Sequence, residues 1–143
     1  MCAVVSFGFV ANAAADLVKK GDPEWAEIYQ PAFTTPSEVP KGSKLRAQLF
    51  NQLRKTVPEK TRFHGSMKAY RNWAFFSGDS VDQKGKPLVA KGWISSDTCA
   101  LWLRTASGWV LVDSSAGHSD AFFVIWPEKY GVPHELLGMP AKK

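Results

Sequence analysis

A short polar segment, VDSSAGHSD, carries the side chains that could do chemistry in this chain. It brings two carboxylates, two hydroxyls and an imidazole together at Asp113, Ser114, Ser115, His118 and Asp120. Nucleophilic catalysis needs a hydroxyl that is hydrogen-bonded to an imidazole, which a carboxylate in turn orients. A hydrolase that uses the loop from Asp113 to Asp120 is therefore one hypothesis.

The spacing favours a structural role for this segment over catalysis. The members of a triad normally come from different elements, and the G-x-S-x-G elbow of many hydrolases does not occur in the chain. Gly117 permits a bend, and Ser119 or Asp120 can cap a helical turn that carries Phe122 and Trp126. We therefore predict no catalytic residue.

Metal-binding and cofactor-binding patterns are not evident. The three histidines His64, His118 and His134 are scattered, and there is no paired-cysteine motif. Asp113 and Asp120 with His118 would form a weak chelating loop. No phosphate-binding glycine loop or dinucleotide fingerprint occurs either, so we expect neither a metal nor a cofactor.

Two hairpins are predicted to position this segment. Cys99, Leu101 and Leu103 alternate with other residues before a turn at 106–108, and an apolar run resumes at 109–112, which indicates an antiparallel pair. A second pair is predicted over 62–70 and 73–77, with Arg71-Asn72 in the turn. The polar, glycine-rich stretch 78–92 is expected to be an exposed excursion.

One amphipathic helix precedes the strands. Ser43 is placed to cap it, leucines recur at a spacing of four from Leu45 to Leu53, and Pro58 ends the segment. The leucine stripe is predicted to pack on the sheet, with the basic positions, Arg46 among them, in water.

These elements predict an α+β domain: one main amphipathic helix on a curved antiparallel sheet of about four strands, with short N- and C-terminal helices. The predicted organisation is a signal-peptide-like segment at 1–15, a short helix and proline-rich connector at 16–42, a single α+β domain at 43–137 and a tail at 138–143. This arrangement resembles the cystatin and nuclear-transport-factor-2-like folds, and other folds that pack a helix on a sheet are alternatives.

A further resemblance rests on packing residues in a fixed order. They are 45–57, 72–76, 108–113, Gly117, Asp120, Trp126, 130–131 and Pro133. In order and spacing the chain resembles a group of small secreted bacterial proteins of uncharacterised function. The resemblance covers about 43–137 and implies a secreted protein, but it implies no activity.

The first residues indicate export. Residues 1–15 carry no charged side chain, and the apolar run at 2–10 is followed by the small residues of a signal-peptidase site. The run is too short to span a bilayer, so no transmembrane span is predicted. A periplasmic or secreted location is expected; the alternative is a buried strand or helix. If Asp16 begins the mature chain, only Cys99 remains, and we expect it to be a core residue.

Charge argues against a nucleic-acid partner. The formal net charge is +5, but lysines and arginines are spread from Lys19 to Lys143 and form no single stripe. Nucleic-acid binders usually add a recognisable module, and none occurs here.

Aromatic residues are the remaining functional resource, because six tryptophans stand in 143 residues. They fill the core or line a binding face. On the second alternative the candidate contact residues are Trp93, Trp102, Arg104, His118, Asp120 and Trp126.

The predicted function is non-catalytic binding of a partner protein or small ligand of the cell envelope. Inhibition of a lytic enzyme is a further alternative, which needs a locally acidic contact face because such enzymes are often basic. The oligomeric state stays open.

Overall fold

The computed structural model describes residues 35–118 and 122–139. The predicted signal-peptide-like segment 1–15 and the predicted helix early in 16–42 lie outside these residues, as do Asp120 and most of the tail. Within the described ranges, no helix combines the length and apolar character needed to cross a membrane.

The described residues form one antiparallel sheet in which each strand pairs with the next along the chain. The strands are β1 (Ser37–Glu38), β2 (Arg62–Tyr70), β3 (Trp73–Val81), β4 (Asp97–Thr105) and β5 (Gly108–Ala116). The α+β class is seen, but the expected count of four strands is wrong. The connector supplies the fifth strand, because Ser37 and Glu38 pair with Ala69 and Lys68 of β2.

Helices are few and short. They are α1 (Lys44–Arg54), a 3-10 turn (Phe122–Ile125), α2 (Trp126–Tyr130) and a second 3-10 turn (His134–Leu137). The predicted cap is confirmed, because the Ser43 hydroxyl accepts a hydrogen bond from the Arg46 amide at 3.1 Å. Gly131 ends α2 with a φ of 77°, in the left-handed region.

Both predicted hairpins are confirmed. Tyr70 pairs with Trp73 across the Arg71-Asn72 turn, and Thr105 pairs with Gly108. The strand β3 extends to Val81, further than predicted, so the polar excursion begins later.

A β-bulge divides β5 between the two faces of the sheet. Leu111 pairs with Trp102 but Asp113 pairs with Leu101, so Val112 has no partner of its own on β4. Without the bulge, alternation would place 109, 111, 113 and 115 on one face. With it, Trp109 and Leu111 pack towards α1, while Asp113 faces the opposite side with Leu101.

Each face of the sheet carries its own hydrophobic cluster. On one face the α1 leucines and Phe50 pack with Phe76, Trp102 and Trp109. On the other face the C-terminal segment, including Trp126, Val132 and Leu136, packs on Phe75 and Leu101. The prediction placed one main helix on the sheet, whereas the observed sheet lies between α1 and the short C-terminal helices.

Arg46 is buried, which corrects the prediction that the basic positions of α1 lie in water. Its guanidinium donates to the Val39 carbonyl at 3.1 Å and to the Gly65 carbonyl at 3.0 Å. It also lies 3.8 Å from the Glu38 carboxylate and over the Phe50 ring. Burial lowers the pKa of Arg46, and Glu38 opposes that shift. One side chain therefore joins α1, the β1 segment and β2.

We predict that Arg46→Ala lowers the free energy of unfolding by about 2–3 kcal/mol, because two buried carbonyls lose their donor. Urea unfolding followed by tryptophan fluorescence measures the change. The control is Lys55→Ala, at an exposed position just after α1, which should change stability by less than about 0.5 kcal/mol. Equal effects of the two substitutions would contradict the proposed anchoring role.

Candidate functional site

The polar segment of β5 does not assemble a catalytic triad in the described structure. The Asp113 carboxylate accepts hydrogen bonds from the Tyr130 hydroxyl at 2.7 Å and from the Ser114 amide at 2.8 Å. Burial, together with the hydrogen bond to Asp113, raises the pKa of Tyr130. Asp113 therefore ties β5 to α2 and does not orient an imidazole.

Ser115 is one of the candidate nucleophiles in the predicted hydrolase loop. It is buried, with only 7% of its surface exposed. Its Oγ has no hydrogen-bond partner among the described residues. It pairs across the sheet with Cys99, whose thiol pKa is raised to about 12, chiefly by burial and then by the Asp113 charge. A buried neutral thiol is a poor nucleophile. Among the described residues, Ser115 thus lacks the hydrogen bond to an imidazole on which a serine hydrolase depends.

His118 instead lies at an aromatic pocket beside β5. Its ring stacks on Phe122 with 6.5 Å between centroids. Both residues line a pocket of about 410 Å³ together with Trp93 and Ser114. Three solvent-exposed apolar side chains flank these residues in the chain, Ile94 at 80%, Val124 at 49% and Ile125 at 52% exposure. We call Trp93, Ile94, His118, Phe122, Val124 and Ile125 the aromatic edge.

The excursion between β3 and β4 returns to β5 and supplies Trp93. The Ile94 amide donates to the Gly117 carbonyl, and the Ser95 hydroxyl donates to the His118 carbonyl, each at 2.8 Å. Trp93 lies directly against Gly117, where a Cβ would be 2.1 Å from the Trp93 Cγ. Gly117 has a φ of +82°, so both the conformation and the contact require glycine.

The structure separates the six predicted contact residues. Trp93 and His118 share the aromatic pocket, whereas Trp102 and Trp126 have 0% exposure and pack in the cores on opposite faces of the sheet. Of the two alternatives for Trp102, a binding face or the core, the structure shows the core, because α1 covers that face. Arg104 lies near the β4–β5 turn and donates to the Asn72 side chain at 2.6 Å. Asp120 is outside the described residues.

A second, smaller pocket lies on the sheet face opposite α1, and sequence reasoning missed it. Its volume is about 190 Å³, and its lining includes Ser77, Asp79, Asp97, Cys99 and Ser115. We call it the acidic pocket. Asp79 and Asp97 are direct cross-strand partners on β3 and β4, and Asp79 accepts a hydrogen bond from the Ser96 hydroxyl at 2.8 Å.

Sequence signals for the missed residues were weak but present. Asp79 lies two positions from Ser77, and Asp97 two positions from Cys99, so period two places each pair on one face. The pairing of β3 with β4, which brings the two carboxylates together, is not visible in either strand alone. Phe122 was interpreted as part of a helical cap, and its exposure depends on how the 3-10 turn packs.

Metal-ligating side chains do not converge within the described ranges, where no group of three histidine, cysteine or carboxylate side chains could hold an ion. The aromatic pocket is lined by aromatic rings and hydrogen-bonding groups, and the acidic pocket is lined by hydrogen-bonding groups. That chemistry is suited to binding polar or ring-bearing molecules.

We predict that Gly117→Ala displaces Trp93. The new Cβ would overlap the indole, so stability should fall by about 3 kcal/mol in urea unfolding. The emission of the native protein should also change, because the Trp93 ring must move.

Gly85→Ala is the matched control, since Gly85 has a φ of +83° and no atom within 4 Å of the position of a Cβ. It measures the backbone strain alone, about 1 kcal/mol. If the two variants were equally stable, the contact with Trp93 would not contribute.

The chain has no match among family models, curated proteins or solved structures. The resemblance to small secreted bacterial proteins and to the cystatin and nuclear-transport-factor-2-like folds stays a prediction. The geometry of the two pockets is the basis for the functional conclusion.

Proposed function

We propose that this protein is a non-catalytic periplasmic or secreted binding protein that holds a small envelope ligand at the aromatic edge. The observation that carries the proposal is the pocket of about 410 Å³ between Trp93, His118 and Phe122. Small-molecule sites are clefts of roughly this size, lined by aromatic rings with a few polar groups.

The exposed apolar side chains that neighbour the pocket residues in the chain support binding over simple packing. Ile94 and Ile125 place more than half of their surface in water. Exposed apolar side chains that form a contiguous patch commonly mark an interaction surface. Trp102, Trp109 and Trp126 belong to the two core clusters, whereas Trp93 and Phe122 lie outside both.

The chemistry of the pocket favours a ligand with a ring. The faces of Trp93 and Phe122 suit the apolar face of a sugar or another ring, while Ser114 and His118 offer hydrogen-bonding groups. A cell-wall sugar satisfies both requirements. The partner-protein alternative would use the same apolar side chains.

The non-catalytic part of the proposal draws support from the polar side chains of β5. Asp113 is engaged by Tyr130, and Ser115 has no imidazole partner among the described residues. The envelope location draws its support from the uncharged, signal-peptide-like residues 1–15.

The binding proposal predicts that N-acetylglucosamine oligomers or soluble peptidoglycan fragments change the intrinsic tryptophan fluorescence in a saturable way. Phe122→Ser should weaken this binding at least about tenfold, because it removes one ring wall of the pocket. The matched control is Val89→Ser, at an exposed apolar position that does not line the pocket. Equal affinity of the Phe122 and Val89 variants would contradict the proposal, as would the absence of saturation with either probe.

The location proposal is tested separately. Expression of the gene in a bacterium, with any basic leader encoded upstream, should yield a product in the periplasm or medium. Its intact mass should begin near Asp16. A cytoplasmic product that retains Cys2 would contradict export.

A further inference from the structure

The acidic pocket suggests a second binding site, which shares Ser115 with the pocket at the aromatic edge but none of its aromatic rings. The C-terminal segment covers the face opposite α1 at Phe75 and Leu101. Two positions further along β3 and β4, the same face carries Ser77 and Cys99, and then Asp79 and Asp97. These side chains line a pocket instead of entering the apolar cluster.

The pairing of Asp79 with Asp97 is unfavourable by itself. Directly opposite side chains on antiparallel strands have Cβ atoms about 4.5–5.5 Å apart, and like charges at that separation destabilise the sheet. The Ser96 hydroxyl donates to Asp79, but no described residue donates to the Asp97 side chain.

No lysine or arginine lines this pocket in the described part of the chain. His64, the other cross-strand neighbour of Asp79, is exposed on β2 and does not line it. A cation from outside would remove the repulsion.

Ser115 gives a second and independent indication of a ligand. Its side chain is more than nine-tenths buried, lines the pocket and has no hydrogen-bond partner among the described residues. A buried hydroxyl without a partner loses about 1–3 kcal/mol relative to a satisfied one. A donor or acceptor that reaches this hydroxyl from the pocket would recover this free energy.

The size and polarity of the pocket select the kind of cation. Its volume of about 190 Å³ is small for a drug-sized molecule but sufficient for an ammonium group and part of its alkyl chain. A primary ammonium has three N–H donors, which matches two carboxylates and one hydroxyl. The described residues bring no third metal ligand to the carboxylates, so a chelated metal ion fits less well.

We propose that the acidic pocket binds a primary ammonium group, with Asp79 and Asp97 as charged acceptors and Ser115 as a third acceptor. The group could belong to a free amine or to a lysine side chain on a protein. The chain carries a net charge of +5, and these two carboxylates form a local acidic site on a basic protein.

The test is a titration of the full chain with n-pentylammonium and with Nα-acetyl-lysine N-methylamide, followed by amide chemical shifts. We expect saturable shifts centred on β3, β4 and Ser115. Asp79→Asn and Asp97→Asn should each weaken binding at least about tenfold, and Ser115→Ala about fivefold. Tetramethylammonium, a cation without N–H donors, should bind at least about tenfold more weakly than n-pentylammonium.

Glu135→Gln is the charge-matched control, because Glu135 is exposed on the second 3-10 turn and does not line the pocket. Binding of both probes would show that a lysine side chain fits. Binding of n-pentylammonium alone would limit the site to free amines. The proposal is overturned if neither amine saturates, or if Asp97→Asn and Glu135→Gln weaken binding equally.

Thermal unfolding gives a second readout that does not depend on ligand affinity. Asp97→Asn should unfold at a higher temperature than the unliganded wild type, because the substitution removes the repulsion from Asp79. A lower melting temperature would show that the two carboxylates stabilise the sheet, and the argument for a cation would fail. Loss of sugar binding at the aromatic edge would leave these results unchanged, so the two proposals can fail independently.

Discussion

Val112 has no partner of its own on β4, and the division of the molecule into two differently occupied faces depends on this bulge. Before it, Trp109 and Leu111 point towards α1 and complete the larger core. After it, Asp113 and Ser115 point to the opposite side, where one hydrogen-bonds to Tyr130 and the other lines the acidic pocket. A strand with strict alternation would have placed these polar side chains with Trp109 on the face that α1 covers, at a large desolvation cost.

The two faces therefore differ in how completely they are covered. The face towards α1 is closed by leucines and aromatic rings and fixed by Arg46, which donates to carbonyls of two separate segments. The opposite face is closed at one end only, by the short C-terminal helices. The end that they leave open contains the acidic pocket, and the excursion that carries Trp93 returns beside it to meet Gly117 and His118. Ser115 lines both pockets.

Electrostatics and burial give the two pockets different chemistry. The pocket at the aromatic edge is lined by the rings of Trp93, His118 and Phe122 together with the hydroxyl side chains of Thr56, Ser114 and Ser115. The acidic pocket is lined by two cross-strand carboxylates and by the Ser115 hydroxyl, which has no hydrogen-bond partner among the described residues. Neither arrangement includes an activated nucleophile, because the Cys99 thiol is neutral and Ser115 has no base among the described residues. A binding role is consistent with both.

The elements that depend on local signals were determined by the sequence alone. The Ser43 cap, the leucine spacing of α1 and the two hairpin turns each involve residues within a few positions of one another, and all were predicted. The tertiary structure decided what depends on distant partners. It added β1 to the sheet, buried Arg46 and Trp102, and set Asp79 against Asp97. It also divided β5 at Val112. These outcomes follow from the register between strands and from which element covers each face, and no local pattern encodes either.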